Sequence, residues 1–101
     1  MAYKNINFEQ AKQIIDSESV LLLDVRTEEE FVTGHIPYAV NIPVDELEER
    51  QNELKDKEQK ILVYCKSGRR SVIACEILEA YGYTNLYNIG GVVDWPYGLE
   101  I

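Results

Sequence analysis

The sequence predicts an α/β domain with a mainly parallel sheet, and three observations carry that prediction. Two apolar runs, Val20-Leu21-Leu22-Leu23 and Ile61-Leu62-Val63-Tyr64, are nearly continuous rather than alternating, which is how strands buried on both faces of a parallel sheet read. Helix-start signals fall between the strand candidates, so the two element types alternate along the chain. The 101 residues, 46% of them hydrophobic, suffice for one core but not for two. Residues 1–101 are therefore expected to form a single domain.

In chain order, a brief opening strand is expected near Lys4-Asn5-Ile6. Asn7 stands three residues before Gln10, the spacing of a capping box, and starts a helix over about 8–16. The run Val20–Leu23 is the first central strand. Thr27 with Glu30 repeats the box and starts a helix over about 28–33, ended by Gly34. A shorter strand, Ala39-Val40-Asn41-Ile42, follows. Asp45 with Glu48 forms a third box and predicts a helix over about 45–55 with a mostly solvated, charged face. Beyond the second central strand, Ile73, Ala74, Ile77, Leu78 and Tyr81 recur at the spacing of one helix face until Gly82 stops them. Leu86-Tyr87-Asn88-Ile89 is the last strand. Pro37, Pro43 and Pro96 are assigned to turns or helix starts, and no repeat, low-complexity tract or linker divides the chain.

Charge narrows the function classes. A formal net charge of -8 and a pI near 4.6 argue against nucleic acid or an anionic membrane as partners. The N-terminal segment Met1-Ala2-Tyr3-Lys4-Asn5 has no apolar signal core, and no apolar run nears the ~18 residues that span a bilayer. A cytoplasmic protein is expected. Cys65 and Cys75 should diverge along a strand end, a loop and a helix, at about 1.5 Å of rise per residue. They are expected to stay free thiols, as suits a reducing compartment.

The chemistry concentrates at Cys65-Lys66-Ser67-Gly68-Arg69-Arg70-Ser71. This segment joins the carboxyl end of a buried strand to a helix, the position where ligand sites form in parallel sheets. Backbone N–H groups there lack intrahelical partners and can converge on an anion. Three of the ten basic residues of an acidic chain, Lys66, Arg69 and Arg70, lie in this loop. They are expected to help draw the Cys65 thiol below the ~8.5 of a free cysteine. Gly68 permits positive φ and close approach of amides, while Ser67 and Ser71 either donate to a sulfur anion or cap the helix. A persulfide carries its charge about one S–S bond, ~2.05 Å, farther out, and an amide ring fits it. Arg69 or Arg70 would hold the sulfonate of a donor such as thiosulfate while the thiolate attacks.

In combination these residues resemble the rhodanese family. Leu23-Asp24-Val25-Arg26-Thr27-Glu28-Glu29-Glu30-Phe31 with Gly34-His35-Ile36-Pro37-Tyr38-Ala39-Val40-Asn41-Ile42-Pro43 looks like its first signature, and Cys65–Ser71 like its active-site loop. Gly90-Gly91, Trp95 and Gly98 match its closing segment, so the likeness covers nearly the whole chain. The resemblance implies a rhodanese-like three-layer sandwich, with a five-stranded, mainly parallel sheet flanked by helices. It also implies sulfurtransferase activity: Cys65 as a covalent persulfide carrier without further cofactor, thiosulfate or a protein persulfide as donor, and cyanide or a thiol as acceptor. Two positions depart from the pattern. Tyr38 stands where many relatives have Gly, so the turn after Pro37 differs or the ring leans over the site, and Lys66 replaces a frequent Arg.

Other residues receive plainer assignments. Asp24 and Arg26 are expected to form an ion-pair scaffold near the loop. His35 is assigned to turn structure and Cys75 to packing, while Trp95 is expected to pack beside the site or, if exposed, to touch a protein acceptor. Cys65, Cys75 and His35 lack the paired short spacings of a zinc site, so no metal is expected. Two alternatives to small-molecule sulfur transfer are a persulfide carrier loaded and unloaded by proteins, and phosphatase or arsenate reductase chemistry. Against the latter, only four residues separate Cys65 from Arg70, one fewer than in tyrosine-phosphatase-like loops, and a phosphoryl group has three equatorial oxygens to embrace.

Overall fold

The computed structural model describes residues 3–101. Five strands, β1 (Lys4–Asn5), β2 (Leu21–Asp24), β3 (Val40–Asn41), β4 (Ile61–Cys65) and β5 (Leu86–Gly91), form one sheet in the order β1-β5-β4-β2-β3. Every strand pair is parallel. The helices are α1 (Phe8–Ser17), α2 (Glu28–Val32), α3 (Leu47–Arg50) and α4 (Arg69–Ala80).

The central strand explains the layering. All five residues of β4 are buried, and because strand side chains alternate between faces, they divide between two cores. Ile61, Val63 and Cys65 join Leu23, Ala74, Cys75 and Leu78 on the α4 side. Leu62 and Tyr64 join Ala11, Leu22, Ile89 and Trp95 on the α1 side. Helices on both faces of a parallel sheet are the three-layer arrangement that the continuous apolar runs predict.

Two of the three capping boxes form. Asn7 and Gln10 exchange both bonds at 2.7 and 3.0 Å, as do Thr27 and Glu30 at 3.2 and 3.0 Å. The third does not. Pro43, at φ -56°, opens a 3-10 turn over Val44–Glu46, so Asp45 already lies inside a turn and makes no capping bond. The helix predicted over 45–55 is accordingly short: α3 sits between this turn and a second 3-10 turn, Gln51–Glu53. Leu47 and Leu54 anchor the segment in the core, and Arg50 bridges Glu46 and Glu53 at 2.9 and 2.8 Å on its surface.

The buried face of α4 also differs from expectation. It consists of Ser71, Ala74, Cys75 and Leu78, while Ile73 and Tyr81 are 45% and 38% exposed. Small residues let the helix lie close to the sheet, which rotates the two bulkier side chains outward. Gly82, at φ +91°, ends the helix as predicted, with Tyr83 N–H donating to Leu78 O at 3.1 Å. The helix begins at Arg69, so the linking loop is only Lys66–Gly68, and Arg69, Arg70 and Ser71 occupy the first helical turn.

Tyr38 is the one non-glycine at positive φ among the described residues, at +72°. Ala39 N–H donates to Ile36 O at 3.1 Å across Pro37-Tyr38, a tight turn whose third position favours glycine when φ is positive. The ring is 91% exposed, so it repays little of the strain and does not lean over the loop. Tyr38→Gly should therefore raise stability by up to about 1 kcal/mol, the left-handed penalty of 1–2 kcal/mol less the entropy of glycine. Chemical denaturation would check this, an unchanged or lower unfolding free energy refuting it.

Candidate active site

Cys65 is the last residue of β4 and is 1% exposed. Beside it, β2 runs parallel in a register that sets Asp24 against Tyr64. On its other side, β5 shifts register so that Cys65 faces Gly91. The carboxyl ends of three strands thus surround the thiol, and the loop after β4 must turn back over it.

That turn brings donors to the sulfur. Gly68, at φ +102°, aims its N–H at Cys65 Sγ, 2.9 Å away. Ser71 Oγ accepts from Cys65 Sγ at 3.6 Å while its own hydrogen goes to Gly68 O at 3.1 Å, and that one hydrogen can turn to the sulfur when the thiol ionises. Burial pushes the Cys65 thiol up. The Ser71 hydroxyl and the Ser71, Gly68 and Ser67 amides more than offset this and leave it below its ordinary value. Cys75, buried in the same core without such donors, is pushed up to about 12, chiefly by burial. Both cysteines are free, as the divergence argument expects.

The loop cations stand differently from the sequence expectation. Lys66 and Arg69 are exposed, and the largest influences that lower the Cys65 thiol are neutral donors. Arg70 feels the Cys65 charge but is held by Glu30: its two terminal nitrogens donate to Glu30 Oε1 and Oε2 at 2.6 and 2.9 Å. The Glu30 carboxyl is thereby held down at about 2, with Arg70 the largest cause. Sequence reasoning assigned Glu30 to a helix cap alone. The adjacency of β2 and β4 was the available signal, since it places the start of α2 next to the start of α4.

Asp24 and Arg26 form the expected scaffold. Arg26 Nη2 donates to Asp24 Oδ2 at 2.7 Å and to Gly34 O at 2.8 Å, and Asn41 Nδ2 donates to the carbonyls of Asp24 and Arg26 at 3.0 and 2.9 Å. Asp24 is fully buried and Arg26 is 5% exposed. A buried pair whose Nη2 also reaches a backbone carbonyl fixes geometry more than it adds stability. It pins the end of β2, the 34–36 segment and Tyr64, whose hydroxyl accepts from Ile36 N–H at 3.2 Å.

His35 takes its structural role: its Nδ1 lies 3.0 Å from Phe31 O, and its backbone pairs with Glu100 at 2.9 and 2.8 Å. Trp95 is buried, edge-on to Phe8 and Tyr97 with ring centroids 5.4 and 5.0 Å apart, so it is not an exposed contact for an acceptor. A cleft of about 330 Å³ beside the loop is lined by Arg26, Glu30, Lys66, Val92 and Trp95, among others.

The family described as Rhodanese-like domain matches residues 7–96. The chain belongs to the rhodanese family. It is similar to a protein named Sulfurtransferase from Allochromatium vinosum, with 38% identity over 90% of this chain and 86% of the relative. It is also similar to the thiosulfate sulfurtransferase PspE of Escherichia coli, with 42% identity over 71% and 70%. The Bacillus subtilis protein YrkF, whose name describes a sulfur carrier, is 42% identical over 89% of this chain, which spans about half of it, 49%. Among solved structures, a rhodanese-like domain protein from Staphylococcus aureus superposes with a TM-score of 0.86 at 37% identity, covering 97% of both chains. This rhodanese thus has the five-stranded fold of its relatives, and those relatives carry names of sulfur transfer or sulfur carriage.

Gly91 marks how closely β5 supports the loop of this rhodanese. A Cβ there would lie 2.5 Å from Ser67 Cα and 2.7 Å from Ser67 C, and would also collide with Lys66 O. These are backbone atoms, so the loop would have to move. Gly91→Ala is expected to lower the rate of Cys65 alkylation near neutral pH by about tenfold or more as the sulfur loses its donors. An alkylation rate equal to the parent's would show that the loop tolerates the shift.

Proposed function

We propose that this chain transfers sulfane sulfur through a persulfide on Cys65. One observation carries the reading: a buried cysteine at a strand end whose Sγ accepts the Gly68 N–H at 2.9 Å and whose thiol is drawn below its ordinary value by surrounding donors. The thiolate attacks the outer sulfur of thiosulfate, forming Cys65 S–S while the sulfur–sulfite bond breaks and sulfite leaves with the electron pair. The persulfide anion then occupies the space framed by the Ser67, Gly68 and Ser71 amides. An acceptor thiolate or cyanide takes the outer sulfur and returns the Cys65 thiolate. The chemistry calls on no cofactor beyond the covalent persulfide, and the residues that frame it run from Lys66 to Ser71.

A second reading is a persulfide carrier exchanging sulfur with proteins. Two observations favour it: Arg70, in the first turn of α4, is already paired with Glu30, and the chain is strongly acidic, which slows an anionic donor from a distance.

One assay separates the readings. Intact mass after thiosulfate or a cysteine desulfurase should show one added sulfur, roughly 32 Da, on the parent and none on Cys65→Ser. Turnover of thiosulfate and cyanide to thiocyanate, abolished in Cys65→Ser, supports the enzyme. Loading by the desulfurase with negligible thiocyanate supports the carrier, while thiocyanate at parental rate from Cys65→Ser would end both readings.

A further inference from the structure

The Glu30–Arg70 pair is an arrangement that the sulfur chemistry does not itself require. Arg70 is the cation of the first turn of α4 that feels both the Cys65 and the Asp24 charge. Asp24 is already taken by Arg26 at 2.7 Å, which leaves Glu30 as the carboxylate that neutralises Arg70, through two bonds of 2.6 and 2.9 Å. Glu30 is held in turn, because its Oε1 also accepts the Thr27 N–H at 3.0 Å. It cannot swing away without opening the start of α2. Glu30 also lines the cleft beside the loop, together with Lys66. An anion reaching this cleft meets the Glu30 carboxylate, whose two oxygens already hold Nη1 and Nη2 of Arg70.

We infer that Glu30 sets donor specificity: it withholds Arg70 from anionic small-molecule donors and so favours persulfides of low charge over thiosulfate. The inference rests on the Cys65 persulfide reading and deepens it. Thiosulfate is a dianion and expels sulfite, so its approach and its leaving group both need a free cation. A neutral persulfide RS–SH needs less. The Cys65 thiolate attacks its outer sulfur, the RS–S bond breaks, and RS⁻ leaves with the electron pair while Cys65 Sγ takes up the SH group and becomes S–SH. No oxidant or reductant enters either step.

The test compares loading rates from thiosulfate and from a net-neutral alkyl persulfide by timed intact mass, in the parent, Glu30→Gln, Arg70→Gln and the double variant. Glutamine serves at the third position of a capping box, so Glu30→Gln keeps the Thr27 cap while removing the charge. The thiosulfate-to-persulfide rate ratio should rise roughly five- to tenfold in Glu30→Gln, with a steeper fall as salt is added. It should drop below the parent's in Arg70→Gln, where Glu30 is left uncompensated, an outcome that serves even if Glu30→Gln folds poorly. In the Arg70→Gln background, adding Glu30→Gln should recover only the repulsive part of the effect. A ratio unchanged in both single variants, or rates that rise equally for both donors, overturns the inference alone. Absence of adduct from either donor in every protein removes the persulfide reading and the inference with it.

Discussion

The Cys65 sulfur has almost no access to water, and the fold sets neutral dipoles against the cost that burial adds to a charge there. Burial alone makes a thiolate costly, as Cys75 shows in the same core, where the thiol is pushed up to about 12. Cys65 escapes that fate because Gly68 N–H, at 2.9 Å, the Ser71 hydroxyl and two further amides face it. Two cysteines ten positions apart thus differ in chemistry: donors surround Cys65, whereas heavier burial and the Glu79 and Glu76 charges act on Cys75. The donors cost no reorganisation when charge appears on the sulfur, because the backbone already holds them in place.

Their placement depends on the whole sheet. β4 delivers Cys65 to the edge of the core, and the bulge between β4 and β5 brings Gly91 opposite it. The missing side chain of Gly91 leaves room for the backbone at Lys66 and Ser67. Gly68 then turns at φ +102°, and α4 starts at once, so its first amides point back at the sulfur. On the other side, the buried Asp24–Arg26 pair ties the end of β2 to the segment around Gly34. Charged residues near the site are largely paired with one another, which leaves the amides to meet the sulfur.

Much of this was legible in sequence. The continuous runs Val20–Leu23 and Ile61–Tyr64 identify central parallel strands, and Asn7-Gln10 and Thr27-Glu30 place two helix starts, because both signals are local. Asp45-Glu48 misled because Pro43 begins the turn two residues earlier, a competition that spacing does not reveal. The face of α4 was read in part: Ala74 and Leu78 were placed on it and are buried, but Ser71 and Cys75, small residues with a weak periodic signal, were missed, and Ile73 and Tyr81 turn outward. At the site, Cys65, Gly68 and Ser71 were readable from their position between strand and helix. The role of Glu30 was not, since it arises from a pairing across 40 residues that depends on which strands are neighbours. The same dependence on strand order hid that Arg70, although it feels the Cys65 charge, is bound to Glu30, so that the neutral donors lead in lowering the thiol.

The claim that neutral donors, rather than nearby cations, do most to lower the Cys65 thiol is tested most directly by titrating its thiolate absorbance in the ultraviolet, in the parent and in Ser71→Ala. The account predicts a midpoint below the ~8.5 of a free cysteine that rises in Ser71→Ala and barely moves between low and high salt. A midpoint at or above that of a free cysteine, or one that follows ionic strength and ignores the loss of the Ser71 hydroxyl, would contradict it.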